Sequence, residues 1–235
     1  MVTAINKLFP EIGNLSGGKV DQTIRSLKAL KEIKNGNVDG FINSLAAKPK
    51  RKVLERYRAN VLEFSGRLNS LAIERQRLVV LSLILSEIGY VYRDNSQHFE
   101  IGRQLSTGIL REFGYSDEEI GLMKELIMWH GVIGDINLGE ETPEFILNVV
   151  NSFSTSLQED YLKMLSLFNA AVLFGHKAEF NAMTPGQLKN FILYSSKENL
   201  ENMTNVTDAE LDDKGYYALR IIYLRQGGFY PYVAH

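Results

Sequence analysis

Helix punctuation constrains this chain more than any other feature. "SDEE" (116–119), "SLQE" (156–159) and "TDAE" (207–210) each fit the S/T-x-x-E capping box, in which two orphan backbone N–H groups are satisfied reciprocally. "TPEF" (142–145) and "TPGQ" (184–187) place Thr at an N-cap and Pro at the first helical position, where its missing N–H costs nothing. Gly114, Gly131 and Gly175 follow helical patterns as C-terminal caps do. Between these marks the apolar residues recur at helical spacing. Leu105, Ile109, Leu110 and Phe113 form one stripe, and Ile120, Met123, Ile127 and Met128 the next. No strictly alternating run bounded by turn residues suggests a sheet. The reading is all-α, with about nine or ten helices.

The 235 residues suffice for one sizeable helical core. Residues 1–48 read as an N-terminal helical extension broken at "GNLSGG" and "NGNVDG", 49–180 as the densest apolar core, and 181–235 as further helices and an aromatic tail. With no cysteine, disulfides and thiolate metal sites are excluded. The net charge of −2 gives no general attraction to nucleic acid or anionic membrane. The N-terminus lacks the pattern of a signal peptide, and the longest apolar run, "LVVLSLIL" (78–85), is too short to span a bilayer. A cytoplasmic location is expected, and the sequons at Asn14, Asn202 and Asn205 then carry no weight.

Two motifs near the N-terminus read as structure. "GNLSGGKV" (13–20) has the G-x-x-x-x-G-K spacing of a phosphate loop, but Val20 stands where a Ser or Thr should hold magnesium and no strand precedes it. A glycine-rich cap on a helix from about Val20 is expected. The basic run "KPKRKVLERYR" (48–58), with Lys48, Lys50, Arg51, Lys52, Arg56 and Arg58, reads as a solvated helix start that nothing else in the chain extends. His176 and the terminal His235 read as solvated. The run "YYALRIIYLRQGGFYPY" (216–232) holds six aromatics. They either dock on the chain's own body or meet a partner or a second copy.

The stretch "LILSEIGYVYRDNSQHFEIGRQL" (83–105), followed by "LIMWHGVIGD" (126–135), carries a resemblance. From about residue 57 to 170 the chain resembles the HD-domain superfamily, all-helical metal-dependent phosphohydrolases and phosphodiesterases. In that family an apolar helix ends in a His-Asp pair before Ile-Gly, an H-x-x-x-G-x-x-L segment follows, and a further helix ends near more histidines. The resemblance implies a metal held by an early His, the His-Asp pair and a distal Asp, lowering the pKa of a bound water. This chain departs from that pattern at every ligand. "ERYRANVLEF" (55–64) has no His, Ser86-Glu87 replaces the pair, and Asn169 is the polar residue of "LSLFNAAVLF" (165–174). The extra methylene of a Glu moves its oxygens by ~1.5 Å.

His98 and His130 match accessory positions that the resemblance associates with a second metal or the substrate phosphate. His98 is otherwise a surface residue of a first helical turn, and His130 otherwise the last-turn residue of a 116–130 helix, where an imidazolium gains from the dipole. Glu87, Asp94 and Asp135 complete the candidate ligand-binding set with these histidines. The expected chain is a catalytically inactive, HDOD-like domain with no cofactor. It would serve as a regulatory, ligand-sensing or interaction module for a protein partner or a phosphate-bearing small molecule. The alternative is a divergent phosphohydrolase using a divalent metal with His98, His130, Glu87 and Asp94 or Asp135. Nucleic-acid binding through the 48–58 cluster comes third.

Overall fold

A computed structural model describes residues 17–44, 51–92, 98–138, 140–175 and 190–204 of the chain. Helices dominate, and no strand occurs among the described residues, so the fold is all-α. The first helix, α1 (Gly17–Lys34), starts three residues before the expected Val20. It ends at Gly36, whose φ of 61° permits the turn back into α2 (Val38–Ser44). There the Gly36 and Asn37 N–H groups bond Ile33 O at 2.9 Å and Glu32 O at 3.0 Å, the double closure of a Schellman cap. Asn37 then caps α2, its Oδ1 accepting from Gly40 N at 3.0 Å.

Two long helices follow, α3 (Arg51–Ser70) and α4 (Ile73–Leu85). A 3-10 segment (Ser86–Tyr92) continues α4, and α5 (His98–Glu112) comes next. A second Schellman cap closes α5 at Gly114, φ 76°, with Gly114 N bonding Arg111 O and Tyr115 N bonding Leu110 O. The expected capping box opens α6 (Asp117–Met128), with Ser116 Oγ accepting from Glu119 N and Glu119 Oε2 accepting from Ser116 N at 2.9 Å. After α7 (Val132–Leu138), Thr142 and Pro143 begin α8 (Pro143–Asn151) as predicted, although the Thr142 side chain makes no cap bond. The longest helix, α9 (Thr155–Gly175), precedes α10 (Lys197–Thr204).

The architecture is a bundle around α9. Every residue from Met164 to Gly175 is buried, the pattern of a helix surrounded by others rather than one lying on a surface. Helices α1, α3, α4, α6, α7, α8 and α10 all touch it. One core runs from Ala29, Leu30 and Ile33 of α1 to Leu200 of α10. Phe174 anchors it, with Phe41 edge-on at 4.7 Å and Phe64 at 6.5 Å.

Four local expectations are corrected. "SLQE" does not start a helix, because α9 begins one residue earlier at Thr155. Phe113 is 58% exposed, since α5 closes at Glu112 and the chain turns away before its side chain reaches the core. Gly175 is no terminal cap but a crossing point. A Cβ there would run into Ser26 Oγ and stand 2.8 Å from the Gln22 carbonyl, so only glycine lets α1 approach this closely. Gly131 lies inside a turn from α6 to α7 and is not among the positive-φ glycines. The motifs at 184–187 and 207–210, the 216–232 run, Lys48, Lys50, Asp94, His176 and His235 lie outside the described residues.

Candidate functional site

The stretch that carries the resemblance forms a crossing of two segments. Leaving α4, the chain tightens into the 3-10 segment, and Gly89 is pressed against the start of α5. A Cβ at Gly89 would run into the His98 carbonyl and stand 2.9 Å from Gly102 N. One at Gly102 would lie 3.5 Å from Ser86 O and 3.6 Å from Gly89 N. The two glycines of Ile-Gly and H-x-x-x-G therefore face each other. Their spacing is dictated by backbone contact and needs no metal to explain it.

Ser86 and Glu87 sit at the head of this crossing, and both are buried. The Ser86 hydroxyl donates back to Leu83 O at 3.2 Å. Glu87, only 4% exposed, turns toward α1. Gln22 Nε2 donates to its Oε1 at 3.1 Å, and Lys19 Nζ lies 3.2 Å from its Oε2. The same ammonium stands 3.7 Å from the centre of the Tyr90 ring, a cation–π placement. Burial opposes the charge of Lys19, but Glu87 and Tyr90 outweigh it and its pKa is raised. A carboxylate this deep costs several kcal/mol unless paired, and here the pair is supplied by another helix.

His98 also packs on Tyr90, stacked at 4.0 Å between ring centres. Its own neighbour Phe99 tilts against it at 3.7 Å. His130 meets it edge-on at 5.7 Å and also contacts Phe99 at 4.4 Å and Phe168 at 5.9 Å. The histidines are 7% and 6% exposed, so His98 is no surface residue: α5 packs its first turn onto the 3-10 segment. His130 is not in the last turn of a helix but two residues past the end of α6. It nonetheless caps that end, with Nδ1 2.7 Å from Ile127 O. Because a carbonyl can only accept, Nδ1 carries the hydrogen, and in the neutral ring Nε2 is the acceptor.

Asn169, on α9, holds the turn that carries His130. Its Oδ1 accepts from Ile133 N at 3.2 Å, and its Nδ2 donates to Trp129 O at 3.1 Å and Leu165 O at 3.0 Å. A carboxylate at this position could take the first bond but neither of the others. Asp135 lies just beyond this turn, its N–H donating to Gly131 O at 3.0 Å and its carboxylate oxygens 3.8 and 4.0 Å from where a Cβ on Gly131 would stand. It lies in the first turn of α7, and burial, with Glu140 and Glu141 nearby, pushes its pKa up to about 6.

Among the described residues no group of three or more His, Cys, Asp or Glu side chains is placed to hold a metal ion. The residues at the expected ligand positions do not fit one. Ser86 is spent on a backbone carbonyl, Glu87 faces an ammonium, and Asn169 donates where a ligand would have to accept. Of the predicted site residues, the structure brings His98 and His130 together and links them through Tyr90 to the Lys19–Glu87 pair. Asp135 stands beside Gly131, the residue after His130, with Glu140 and Glu141 also near it, and Asp94 is outside the described residues. Sequence reasoning missed Lys19, Gln22 and Tyr90.

No protein-family model, curated protein or solved structure matches the chain. Among the described residues no helix is long and apolar enough to cross a membrane. The class the coordinates define is an all-α bundle whose candidate site is a buried ion pair joined to a histidine–aromatic cluster.

Proposed function

We propose that the chain is a catalytically inactive HD-like helical domain, acting in the cytoplasm as a regulatory or interaction module for a protein partner or a phosphate-bearing small molecule. One observation carries the reading: the charge of Glu87, at the centre of the Ser-Glu-Ile-Gly motif, is met by Lys19. In the HD pattern that charge would face a cation from solution. Here an ammonium from α1 stands beside it, so a divalent ion would have to displace a cation tethered to the same chain. The amide of Asn169 supports the same reading, because it ties two helices together where a distal carboxylate would ligate.

Metal analysis of the purified chain, combined with phosphatase and phosphodiesterase assays, tests it. The expected result is substoichiometric Mn, Fe, Zn and Mg and no turnover. Stoichiometric metal together with turnover overturns the proposal. The divergent-hydrolase reading draws on one observation, the Nδ1–H donation that orients His130, since an imidazole held this way presents Nε2 as its basic nitrogen. It predicts that His130→Ala abolishes both metal and activity.

A further inference from the structure

Helix α1 is two half-helices of different make. Residues 17–26, GGKVDQTIRS, hold two glycines, the β-branched Val20, Thr23 and Ile24, and also Asp21 and Ser26. These are weaker helix formers than the Leu, Lys, Ala and Glu that dominate LKALKEIK (27–34). No acidic residue occupies the first turn, and Lys19 stands there against the helix dipole. Thr23 Oγ1 also donates back to Lys19 O at 3.2 Å, a bond that loosens a helix slightly. The local sequence therefore favours helix from Leu27 onward and supports it little before.

The contacts divide at the same place. From Leu27 on the attachment is apolar. Leu27 packs against the core, Ala29, Leu30 and Ile33 are buried in it, and Val38 and Phe41 of α2 follow them. Before Leu27 no apolar side chain is buried, and Val20 and Ile24 are 38% and 40% exposed. That half is held by Lys19 and Gln22 on Glu87, and by Arg25 Nε, which donates to Gly175 O at 3.0 Å. Gln22 and Ser26 pass closely over Gly175, yet a hydrogen bond contributes less, net, than a buried aliphatic side chain. Two of the three polar contacts end on one residue, Glu87.

We propose that residues 17–26 form a strap latched by Glu87, which opens as a unit while the rest of α1 stays docked. The hinge lies between Ser26 and Leu27, where both helix propensity and apolar burial change. Opening is a local unfolding of the weakly supported half, and it lifts Lys19 from the Tyr90 ring and from Glu87. With the strap closed Glu87 is 4% exposed, so a ligand reaches its carboxylate only in the open state. The inference rests on the make of α1 and its ion pair, and it stands apart from the HD-like reading.

Amide hydrogen exchange on the full chain, read by mass spectrometry of peptides from each half, tests the strap. After correction for intrinsic rates, amides 21–26 of the parent should exchange about tenfold or more faster than amides 29–34. Lys19→Met and Glu87→Gln should each speed 21–26 by about another tenfold and leave 29–34 within about threefold. Val20→Ala with Ile24→Ala, both at exposed positions, should slow 21–26 by about threefold through helix propensity alone. Halves that exchange alike and respond alike to Glu87→Gln overturn the strap, and a first half indifferent to both latch variants overturns the latch. A first half that the paired alanines do not slow overturns its opening by helix melting.

Discussion

Glu87 and Asn169 are both buried polar side chains, and the chain meets their burial by opposite means. Glu87 Oε2 has a counter-charge but no hydrogen bond, whereas Asn169 has hydrogen bonds and no charge. Glu87 keeps a full charge and receives a full charge from a helix 68 positions back in the sequence, with Gln22 on its other oxygen. Asn169 is neutral and makes three bonds to backbone, two of them in the turn around His130. The first arrangement depends on α1 staying in place. The second depends only on the local path of α6, α7 and α9. A ligand position can therefore be given a structural task in two ways, by importing a counter-charge or by removing the charge.

The strongest break of this contrast is to return the charge where it was removed. Asn169→Asp keeps the size but loses two donors and turns an anion toward the Trp129 and Leu165 carbonyls. We expect a loss of about 3–4 kcal/mol in urea unfolding. A loss below about 1 kcal/mol would mean that the amide donors contribute little. Next comes the removal of the imported charge. Lys19→Met leaves Glu87 buried beside an apolar tip, and the expected loss is about 2–3 kcal/mol, reduced from the fully buried case because Lys19 is partly exposed.

Asp135 sharpens the comparison from a third side, as a half-buried carboxyl with acidic rather than basic neighbours. Its folded pKa, about 6, lies above that of an unfolded aspartate. Between about pH 4 and pH 6 the native state therefore holds a proton that the unfolded chain has released. Stability falls as pH rises through that window. Asp135→Asn should be more stable than the parent by about 1 kcal/mol at pH 7.5, after discounting for solvent screening. The two curves should converge below about pH 4.

How much of this was legible in the sequence follows from what sequence encodes locally. Ser116-x-x-Glu119, Thr142-Pro143 and Gly114 each act within one turn of themselves, and each lies where its pattern implies. Gly175 reads as a helix cap from its local pattern, but its constraint comes from α1, about 150 residues earlier, and no spacing rule reaches that far. The candidate site divides in the same way. Glu87, His98 and His130 stand out by type and position, and all three are buried where the segments cross. Lys19 follows Gly17 and Gly18, and from the sequence it reads as part of a glycine-rich loop. Its partner is a tertiary contact that periodicity does not encode. Tyr90, which meets both Lys19 and His98, carries no local pattern for the same reason.

A double-mutant cycle between Lys19→Met and Glu87→Gln tests the central claim most directly. Unfolding free energies of the parent, the two single variants and the double variant give the coupling without reference to any other contact of either residue. If Lys19 is the counter-charge of Glu87, Glu87→Gln should recover most of what Lys19→Met loses, with a coupling of about 1.5–2 kcal/mol that changes little with added salt. Additive losses, with a coupling within about 0.5 kcal/mol of zero, would contradict the account and leave the Glu87 carboxylate to another cation.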